Sequence, residues 1–314
     1  MTRFSAFALA LSFTAACSSN PPPPAAEPEA PASAAAEPAA PAAPQLTLEV
    51  LTGSPEGFLV TSTLVTGAKD AVLIDAQFTL ADAKAVAEHV KASGKTLTTV
   101  YVSHSHPDHY FGFPAIKEAF PEAKLVALPA TIAGIEKTWQ DKVKQWKPLY
   151  KEAITDKPVI PEALAGTTIE LEGEKLEIVG GLQGDAADNS YVWIPALGTV
   201  VAGDIVYDEV FPWTAETSPA ERGAWSATLD KLAALSPKAV VPGHQKAEQK
   251  QDPANLKFTQ GYLKAYDEAL ASSKKPEELQ SKVKALYPNA ALDIVLKIGS
   301  EASLKKSSGK TAKK

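Results

Sequence analysis

Short apolar runs separated by turn residues fill the early part of the chain and predict β-strands. The predicted strands cover residues 46–51, 58–65, 71–75 and 98–103. Between the last two of these, residues 81–93 change to helical spacing, and Gly94 ends the predicted helix. The apolar face of that helix is predicted to contain Ala81, Ala85, Val86, His89 and Val90, which gives His89 a structural role.

A second β-rich region follows, and helices are interleaved with its strands. The predicted strands cover residues 125–128, 190–194, 199–202 and 239–241, with two more around Gly173 within residues 167–179. The predicted helices cover residues 131–147, 219–235, 253–272, 276–286 and 290–303. Two β-rich halves without a repeat of fixed period predict two sheets packed together.

The N-terminal residues have the pattern of an export signal. Arg3 precedes an apolar stretch at residues 4–16 that is too short for a membrane-spanning helix, and small residues lead up to Cys17. This resembles a bacterial lipobox, in which the cysteine is lipidated after cleavage; simple cleavage and an incidental cysteine are the alternatives. We therefore expect a signal peptide over residues 1–17 and a protein anchored by lipid in the bacterial periplasm or outer membrane.

Low-complexity segments flank the predicted globular region. Of residues 21–44, 20 of 24 are Pro or Ala, which cannot bury a core, so residues 18–45 are expected to be a disordered tether. Residues 304–314 are rich in Lys and Ser and are expected to be a solvated basic tail. The predicted domain is therefore residues 46–303, with a helical C-terminal part.

Composition removes several classes of function. The chain of 314 residues has 31 Lys and Arg against 37 Asp and Glu, and a net charge of −6 leaves no basic surface for nucleic acid. Its one cysteine cannot form an intramolecular disulfide or a zinc or iron–sulfur site built from several thiolates. Any metal must therefore be held by histidines and carboxylates.

The candidate chemistry is concentrated in one short run. Of the five histidines, three lie at His104, His106 and His109, beside Asp108 and directly after a predicted strand. Alternation along a strand places His104 and His106 on the same side, so both imidazoles reach one metal ion. Pro107 then bends the chain and lets Asp108 and His109 face a second ion. The run predicts a two-metal site.

Two distant motifs add candidate ligands. Asp204 ends a Val-Ala-Gly-Asp run after the predicted strand at residues 199–202, and His244 ends a Val-Pro-Gly-His run after the one at 239–241. In open α/β sheets, ligand groups gather at the carboxyl ends of strands. Each motif alone is a common turn sequence, but together with the histidine run they indicate one site.

The order of these motifs resembles the metallo-β-lactamase superfamily of metallohydrolases, over residues 45–251. The resemblance implies an α/β (α+β) fold, a four-layer αβ/βα sandwich with a dinuclear site at one edge. Asp75 matches the first motif and is expected to orient the histidine loop by hydrogen bonds. The implied ligands are His104 and His106 for the first ion, Asp108, His109 and His244 for the second, and Asp204 as the bridge.

The sequence departs from the family where a third histidine of the first ion is usual. Asp185 stands at that place when Asp188 and Asn189 are aligned with the family, and Gln183 stands there if two residues are inserted. We favour Asp185; its alternative role is an ordinary turn residue before a strand. Zinc is the expected metal, but a carboxylate makes the first site harder and more anionic, which favours manganese or iron more than a third histidine would, so both are alternatives.

Aromatic residues close to the metal motifs are candidates for an apolar substrate groove, although aromatics near strand ends commonly serve packing. They are Tyr110, Tyr207, Phe211 and Trp213. Trp139 and Trp146, on the predicted helix over residues 131–147, could form a lid, but core packing is the favoured interpretation.

The expected function is hydrolysis of a small-molecule substrate by a hydroxide held between two divalent ions, with Asp108 orienting or deprotonating the water. Members of the family that hydrolyse β-lactams usually carry Cys or Ser where this chain has Asp204, and the thioesterase and lactonase-like branches carry Asp. Ester, lactone or thioester hydrolysis is therefore favoured. The alternatives are β-lactam hydrolysis and a non-catalytic metal-binding lipoprotein.

Overall fold

The computed structural model describes residue 12 and residues 46–311, the last five of these as backbone only. Cys17 and the predicted tether at residues 18–45 lie outside the described residues, as does the predicted signal peptide apart from residue 12. In the part of the chain that the structure describes, no helix combines the length and apolar character of a membrane span.

Six strands form the first sheet and lie across it in chain order. Neighbours pair antiparallel among the first three strands and parallel among the last four. The strands are β1 (Thr47–Thr52), β2 (Thr61–Thr66), β3 (Asp70–Ile74), β4 (Thr96–Val102), β5 (Lys124–Ala127) and β6 (Glu162–Ala163).

Five strands form the second sheet and two more form a short parallel pair. The five are β7 (Thr168–Leu171), β8 (Glu174–Leu182), β9 (Asn189–Ile194), β10 (Thr199–Val201) and β12 (Ala239–Val241), and the pair is β11 (Tyr207–Asp208) with β13 (His244–Gln245). The order across the second sheet is β12-β10-β9-β8-β7. In this sheet β10 and β12 pair in parallel, because a helix connects them, and the other neighbours are antiparallel.

Seven helices follow or connect the described strands. They are α1 (Leu80–Ala92), α2 (Phe113–Ala119), α3 (Pro129–Tyr150), α4 (Pro219–Ala234), α5 (Ala254–Ala271), α6 (Pro276–Leu286) and α7 (Asp293–Thr311). Capping residues satisfy the first backbone amides of two of them. Thr79 accepts a hydrogen bond from Asp82 N before α1, and Ser218 and Glu221 form a capping box before α4.

The two faces of each central strand pack in different layers. Val72 and Ile74 of β3 belong to a cluster made of strand residues from both sheets, whereas Leu73 between them packs in a larger cluster with helix residues. The same holds for β10 of the second sheet: Val201 belongs to the cluster of strand residues, and Val200 belongs to the cluster that includes helix residues. Each sheet therefore faces the other sheet on one side and helices on the other. This is the predicted four-layer αβ/βα sandwich, and the fold class is confirmed.

Three local predictions were wrong. The strand predicted to begin at residue 58 begins at Thr61, because Phe58 and Leu59 have positive φ angles of 63° and 55° and form a turn. The buried face of α1 is centred on Ala83, Val86, Ala87 and Val90. His89 lies at the edge of that face, where its Nε2 is 2.8 Å from Glu49 Oε2, so it is a partly exposed ion-pair residue rather than a core residue.

The last helix is longer than predicted. It was expected to end at residue 303, before a solvated tail, but α7 continues to Thr311. Lys306 Nζ donates to Ala215 O at 3.0 Å, which attaches this part of the helix to the rest of the fold.

Candidate metal centre

The ligands predicted from sequence lie where strands end. Asp75 follows β3, the histidine run follows β4, Asp204 follows β10, and His244 opens β13 two residues after β12. Because β10 pairs with β12 in the second sheet, and Tyr207 of β11 pairs with His244 of β13, the Asp204 and His244 motifs lie side by side. The ligand residues that follow strands of both sheets therefore come together at one place.

The first ligand group consists of His104, His106, Asp185 and Asp204, and all four side chains are buried. His106 Nδ1 lies 2.7 Å from Asp185 Oδ2. His104 Nε2 lies 3.7 Å from Asp185 Oδ1 and 3.7 Å from Asp204 Oδ2. Two imidazole nitrogens and two carboxylates thus point into one small space.

The second ligand group consists of Asp108, His109, Asp204 and His244. His109 Nε2 lies 3.1 Å from Asp204 Oδ1, and His244 Nε2 lies 3.1 Å from Asp204 Oδ2. Asp108 Oδ2 is 3.4 Å from His244 Nε2 and 3.8 Å from His109 Nε2. Asp204 belongs to both groups, which is the arrangement of a bridging carboxylate.

Asp75 lies behind the histidine run rather than within either group. Its Oδ1 accepts from Ser103 N at 2.8 Å, and its Oδ2 accepts from Ser103 Oγ at 2.8 Å. The same Oδ2 is 2.9 Å from His109 Nδ1, which leaves His109 Nε2 directed at Asp204. A carboxylate on the outer nitrogen of a ligand histidine sets its tautomer and ring orientation.

The ring of His244 is held by a backbone carbonyl. His244 Nδ1 lies 2.7 Å from Phe58 O, and because a carbonyl only accepts, Nδ1 carries the proton and Nε2 has a lone pair for coordination. The turn at Phe58 that displaced the start of β2 is the feature that presents this carbonyl. A Cβ on Gly243 would collide with Asp204 Oδ1, so only glycine allows the two motifs to approach this closely.

The structure places Asp185, not Gln183, in the first ligand group. Asp185 is buried, and its Oδ1 accepts from Asn189 Nδ2 at 3.0 Å. Gln183 is only partly buried, and its Nε2 donates to Gly184 O, directly adjacent in the chain. The structure therefore distinguishes the two alignments that the sequence left open. The alignment without an insertion is the one in which a carboxylate oxygen, from Asp185, lies beside His106.

Burial and neighbouring charges have opposing effects on pKa values within the two ligand groups. Burial, with His109 nearby, lowers the pKa of His104 well below its usual value, so His104 is neutral. Burial alone would lower the pKa of His106, but the Asp185 carboxylate raises it well above its usual value. Burial raises the pKa of Asp185 to about 6, whereas His244 and His109 hold that of Asp204 well below its usual value despite burial. These groups favour a bound cation, which replaces protons on the histidines.

An unpaired buried atom tests whether metal ions fit here. His104 Nε2 is buried and makes no hydrogen bond, since the carboxylate oxygens of Asp185 and Asp204 are each 3.7 Å away from it. Buried polar atoms without partners are rare, so such atoms point to a ligand. Each group also offers two imidazoles and two carboxylates, a donor set suited to divalent ions. The residues fit two divalent cations.

A narrow, largely apolar cleft opens onto the ligands. Of the aromatic residues predicted to line it, Tyr207, Phe211 and Trp213 do so. Tyr110 does not, because it is fully buried in the core beside Phe111. Trp146, which the sequence assigned to packing, contacts Phe58 in the core and also reaches the cleft.

Tyr207 contacts ligand residues directly. Its hydroxyl donates to Asp204 Oδ2 at 2.6 Å, and its ring stacks on that of His244 with centroids 5.1 Å apart. It therefore forms part of the cleft wall and also orients the bridging carboxylate.

Sequence reasoning missed Glu216 and Lys142. Glu216 Oε2 lies 3.4 Å from His106 Nε2, and Glu216 Oε1 accepts from Lys142 Nζ at 2.6 Å. Burial alone would raise the pKa of Glu216, but His106 and Lys142 hold it well below its usual value, so it is ionised. Neither residue lies in a motif, and only the fold brings α3 and the loop before α4 to the site.

Comparison with known proteins gives one family and one fold. The sequence model of the metallo-beta-lactamase superfamily matches residues 55–244. A metallo-beta-lactamase type 2 from Bacteroides fragilis is 38% identical over 81 residues, which are 24% of this chain and 32% of the relative. The chain thus matches about a third of the length of that curated relative.

Solved structures share the fold at low identity. A metallo-beta-lactamase family protein from Thermus thermophilus superposes with a TM-score of 0.61 at 20% identity, covering 84% of this chain and 94% of the other. A metallo-beta-lactamase from Pontibacter korlensis gives a TM-score of 0.52 at 19% identity, covering 70% and 95%.

Proposed function

The chain belongs to the metallo-beta-lactamase superfamily, and on that premise we propose that it is a metal-dependent hydrolase of uncharged esters, lactones or thioesters. The observation that carries the proposal is the pair of ligand groups that share Asp204 at the base of an apolar cleft. A narrow apolar cleft suits a small molecule, and the net charge of −6 does not favour nucleic acid as the ligand.

Two divalent ions are the proposed cofactors. His104, His106, Asp185 and Asp204 would hold one ion, and Asp108, His109, Asp204 and His244 the other. When bound, the ions supply positive charge that polarises a carbonyl and lowers the pKa of water toward neutrality. Zinc is proposed first; because each group contains two carboxylates and no thiolate, manganese and iron are the alternatives.

Asp108 is the residue that we propose as the catalytic carboxylate. It is the partly exposed member of its group and lines the cleft, so it can reach both water and substrate. Its carboxylate accepts a proton from the attacking water, whose oxygen forms the new bond to the acyl carbon. The bond from that carbon to the leaving oxygen or sulfur then breaks, and the proton passes from Asp108 to the leaving group.

Charge in the cleft favours an uncharged substrate. Lys142 is the cation among the residues lining the cleft, and Glu216 already pairs with it at 2.6 Å. The two ligand groups together carry three carboxylates, Asp108, Asp185 and Asp204, which offset most of the charge of two divalent ions. An anionic substrate would therefore find little positive charge that is not already compensated.

The second candidate is β-lactam hydrolysis, which the similarity to the Bacteroides fragilis enzyme favours. Penicillins and cephalosporins carry a carboxylate, which would have to displace Glu216 from Lys142 to form an ion pair. A third candidate, non-catalytic metal binding, is favoured only by the departure at Asp185.

A substrate panel tests the proposal. The metal-replete protein would be assayed with p-nitrophenyl esters, lactones, thioesters, a phosphodiester and a chromogenic cephalosporin, and an Asp141→Asn variant would serve as an exposed control on α3. We expect ester, lactone or thioester turnover well above that of the cephalosporin. Turnover of the cephalosporin alone would support the second candidate, and a blank panel with metal bound would support the third.

Lipid anchoring at Cys17 and a location in the bacterial periplasm or outer membrane are a separate proposal, supported by the small residues that precede Cys17. Cys17→Ser should move the protein from the membrane fraction to the soluble fraction. Unchanged membrane association would rule out anchoring through this residue.

A further inference from the structure

The wall of the cleft includes residues beyond those that the family's sequence model matches. The match to the superfamily ends at residue 244, and α5, α6 and α7 follow it. Leu292 and Val295, at the start of α7, nevertheless line the same cleft as His106 and Asp108. The C-terminal segment is therefore part of the substrate-binding surface as well as of the helical layer.

Backbone hydrogen bonds fix the position of this segment. Ala291 N donates to Glu209 O at 2.8 Å, and Phe211 N donates to Ala291 O at 3.0 Å, so the turn before α7 pairs with the chain that carries Phe211. Leu292 is held at a positive φ of 67°, a conformation that needs such support. Further along α7, a Cβ on Gly299 would collide with Thr214 Oγ1, so the helix lies directly against the same loop.

An aromatic wall contributes to the same cleft. Phe58 and Trp146 line it and pack on each other with ring centroids 5.3 Å apart. Leu292 and Val295 add aliphatic surface, and the charged pair of Lys142 and Glu216 is already satisfied. An apolar chain gains from leaving water in such a space, whereas a charged or strongly polar group would lose hydration without a partner.

We propose that Leu292 and Val295 form a specificity wall, which selects substrates with a slender, uncharged apolar chain attached to the reacting acyl group. The proposal rests on the proposed hydrolase function. It specifies the chemistry of the part of the substrate that the metal ligands do not contact. It assigns the discrimination among substrates to a segment that the family's sequence model does not match.

A chain-length series tests the wall. Val295→Phe would fill the cleft and Val295→Ala would widen it, while Ile294→Phe is a matched control because Ile294 is the adjacent residue and 47% exposed. With p-nitrophenyl esters from acetate to decanoate, we expect Val295→Phe to lose about tenfold or more in kcat/KM for the octanoate and little for the acetate. Val295→Ala should shift the preference toward longer or branched chains, and Ile294→Phe should match the wild type.

A binding measurement tests the specificity wall independently of the proposed hydrolysis. Trp146 and Trp213 line the cleft, so titration of the metal-replete protein with 1-octanol should change tryptophan fluorescence. We expect saturable binding to the wild type and to Ile294→Phe, and about tenfold weaker binding to Val295→Phe.

The outcomes distinguish the two proposals. Octanol binding that depends on Val295, together with no hydrolysis of any ester, would overturn the proposed reaction and leave the apolar wall in place. Hydrolysis with a chain-length preference that Val295→Phe and Val295→Ala leave unchanged would overturn the wall. Equal effects of Val295→Phe and Ile294→Phe on octanol binding would also overturn it.

Discussion

The two ligand groups have the same donors in different surroundings. Each offers two imidazoles and two carboxylates, and they share Asp204. In the first group every side chain is at least nine-tenths buried, whereas in the second the Asp108 side chain is 15% exposed and lines the cleft. Members of both groups line the cleft, but Asp108 of the second group is the most exposed of the ligand side chains.

The residues behind the ligands also differ between the two groups. In the second group, Asp75 contacts His109, and the Phe58 carbonyl accepts from His244. In the first group, Ser103 contacts His104, Glu216 faces His106, and Asn189 donates to Asp185. Because Asp108 is the most exposed ligand, we expect the first group mainly to retain an ion and reactivity to depend most on the second.

The largest effect is expected from Asp108→Asn, which removes the proposed catalytic carboxylate from the second ligand group. Loss of a proton-transferring carboxylate typically costs about a hundredfold to ten-thousandfold in rate. The ion of the first group should remain, since that group does not include Asp108. Ester turnover and metal content would be measured together, with Asp141→Asn as the control. Retention of more than half of the activity would show that Asp108 is not the catalytic carboxylate.

A smaller effect is expected from Glu216→Gln, which tests the support of His106 in the first ligand group. The amide removes the charge that faces His106 Nε2, and loss of such an outer partner typically lowers metal affinity about tenfold to a hundredfold. Competition with a chelator should release one ion earlier and leave the other unchanged. Glu136→Gln, an exposed change on α3, is the control. Equal weakening of both ions, or of neither, would contradict the role assigned to Glu216.

Most of both ligand groups could be predicted from sequence, and Asp185 of the first group was the exception. His104, His106, Asp108 and His109 lie in one run after a strand, so local geometry places them together. Asp185 was ambiguous because two alignments fitted the sequence, and only the pairing of β8 with β9 sets which side chain turns inward.

The residues that form the cleft were harder to predict from sequence than the ligands, because long-range packing brings them together. Glu216, Lys142, Leu292 and Val295 belong to no motif, and each reaches the site through contacts between distant segments. The layers of the fold, in contrast, followed from apolar runs and helical spacing, because those patterns reflect which face each element buries. The turn at Phe58 was missed because an apolar run does not reveal a positive φ.

The smallest effect concerns Asp208, a carboxylate without a ligand histidine beside it. Burial, with Glu209 nearby, raises its pKa from 3.8 to about 6. Well below pH 3.8 the group is protonated in both the folded and unfolded states. Between about pH 4 and 6 only the unfolded state ionises, so the fold loses stability over this range, and the loss is complete above about pH 6. Asp208→Asn should therefore raise stability by about 1 kcal/mol at pH 7.5 and by nothing near pH 3.5. Thermal melts at the two pH values check this; an equal gain at both would contradict it.

Metal analysis of the wild type beside Asp185→Ala tests the central claim most directly. Elemental analysis after metal-replete purification should give about two divalent ions per wild-type chain and about one in Asp185→Ala, because the second group keeps all its ligands. Gln183→Ala, in the residue of the rejected alignment, should keep both ions. A wild type with one ion or none, or two ions retained in Asp185→Ala, would contradict a dinuclear site completed by Asp185.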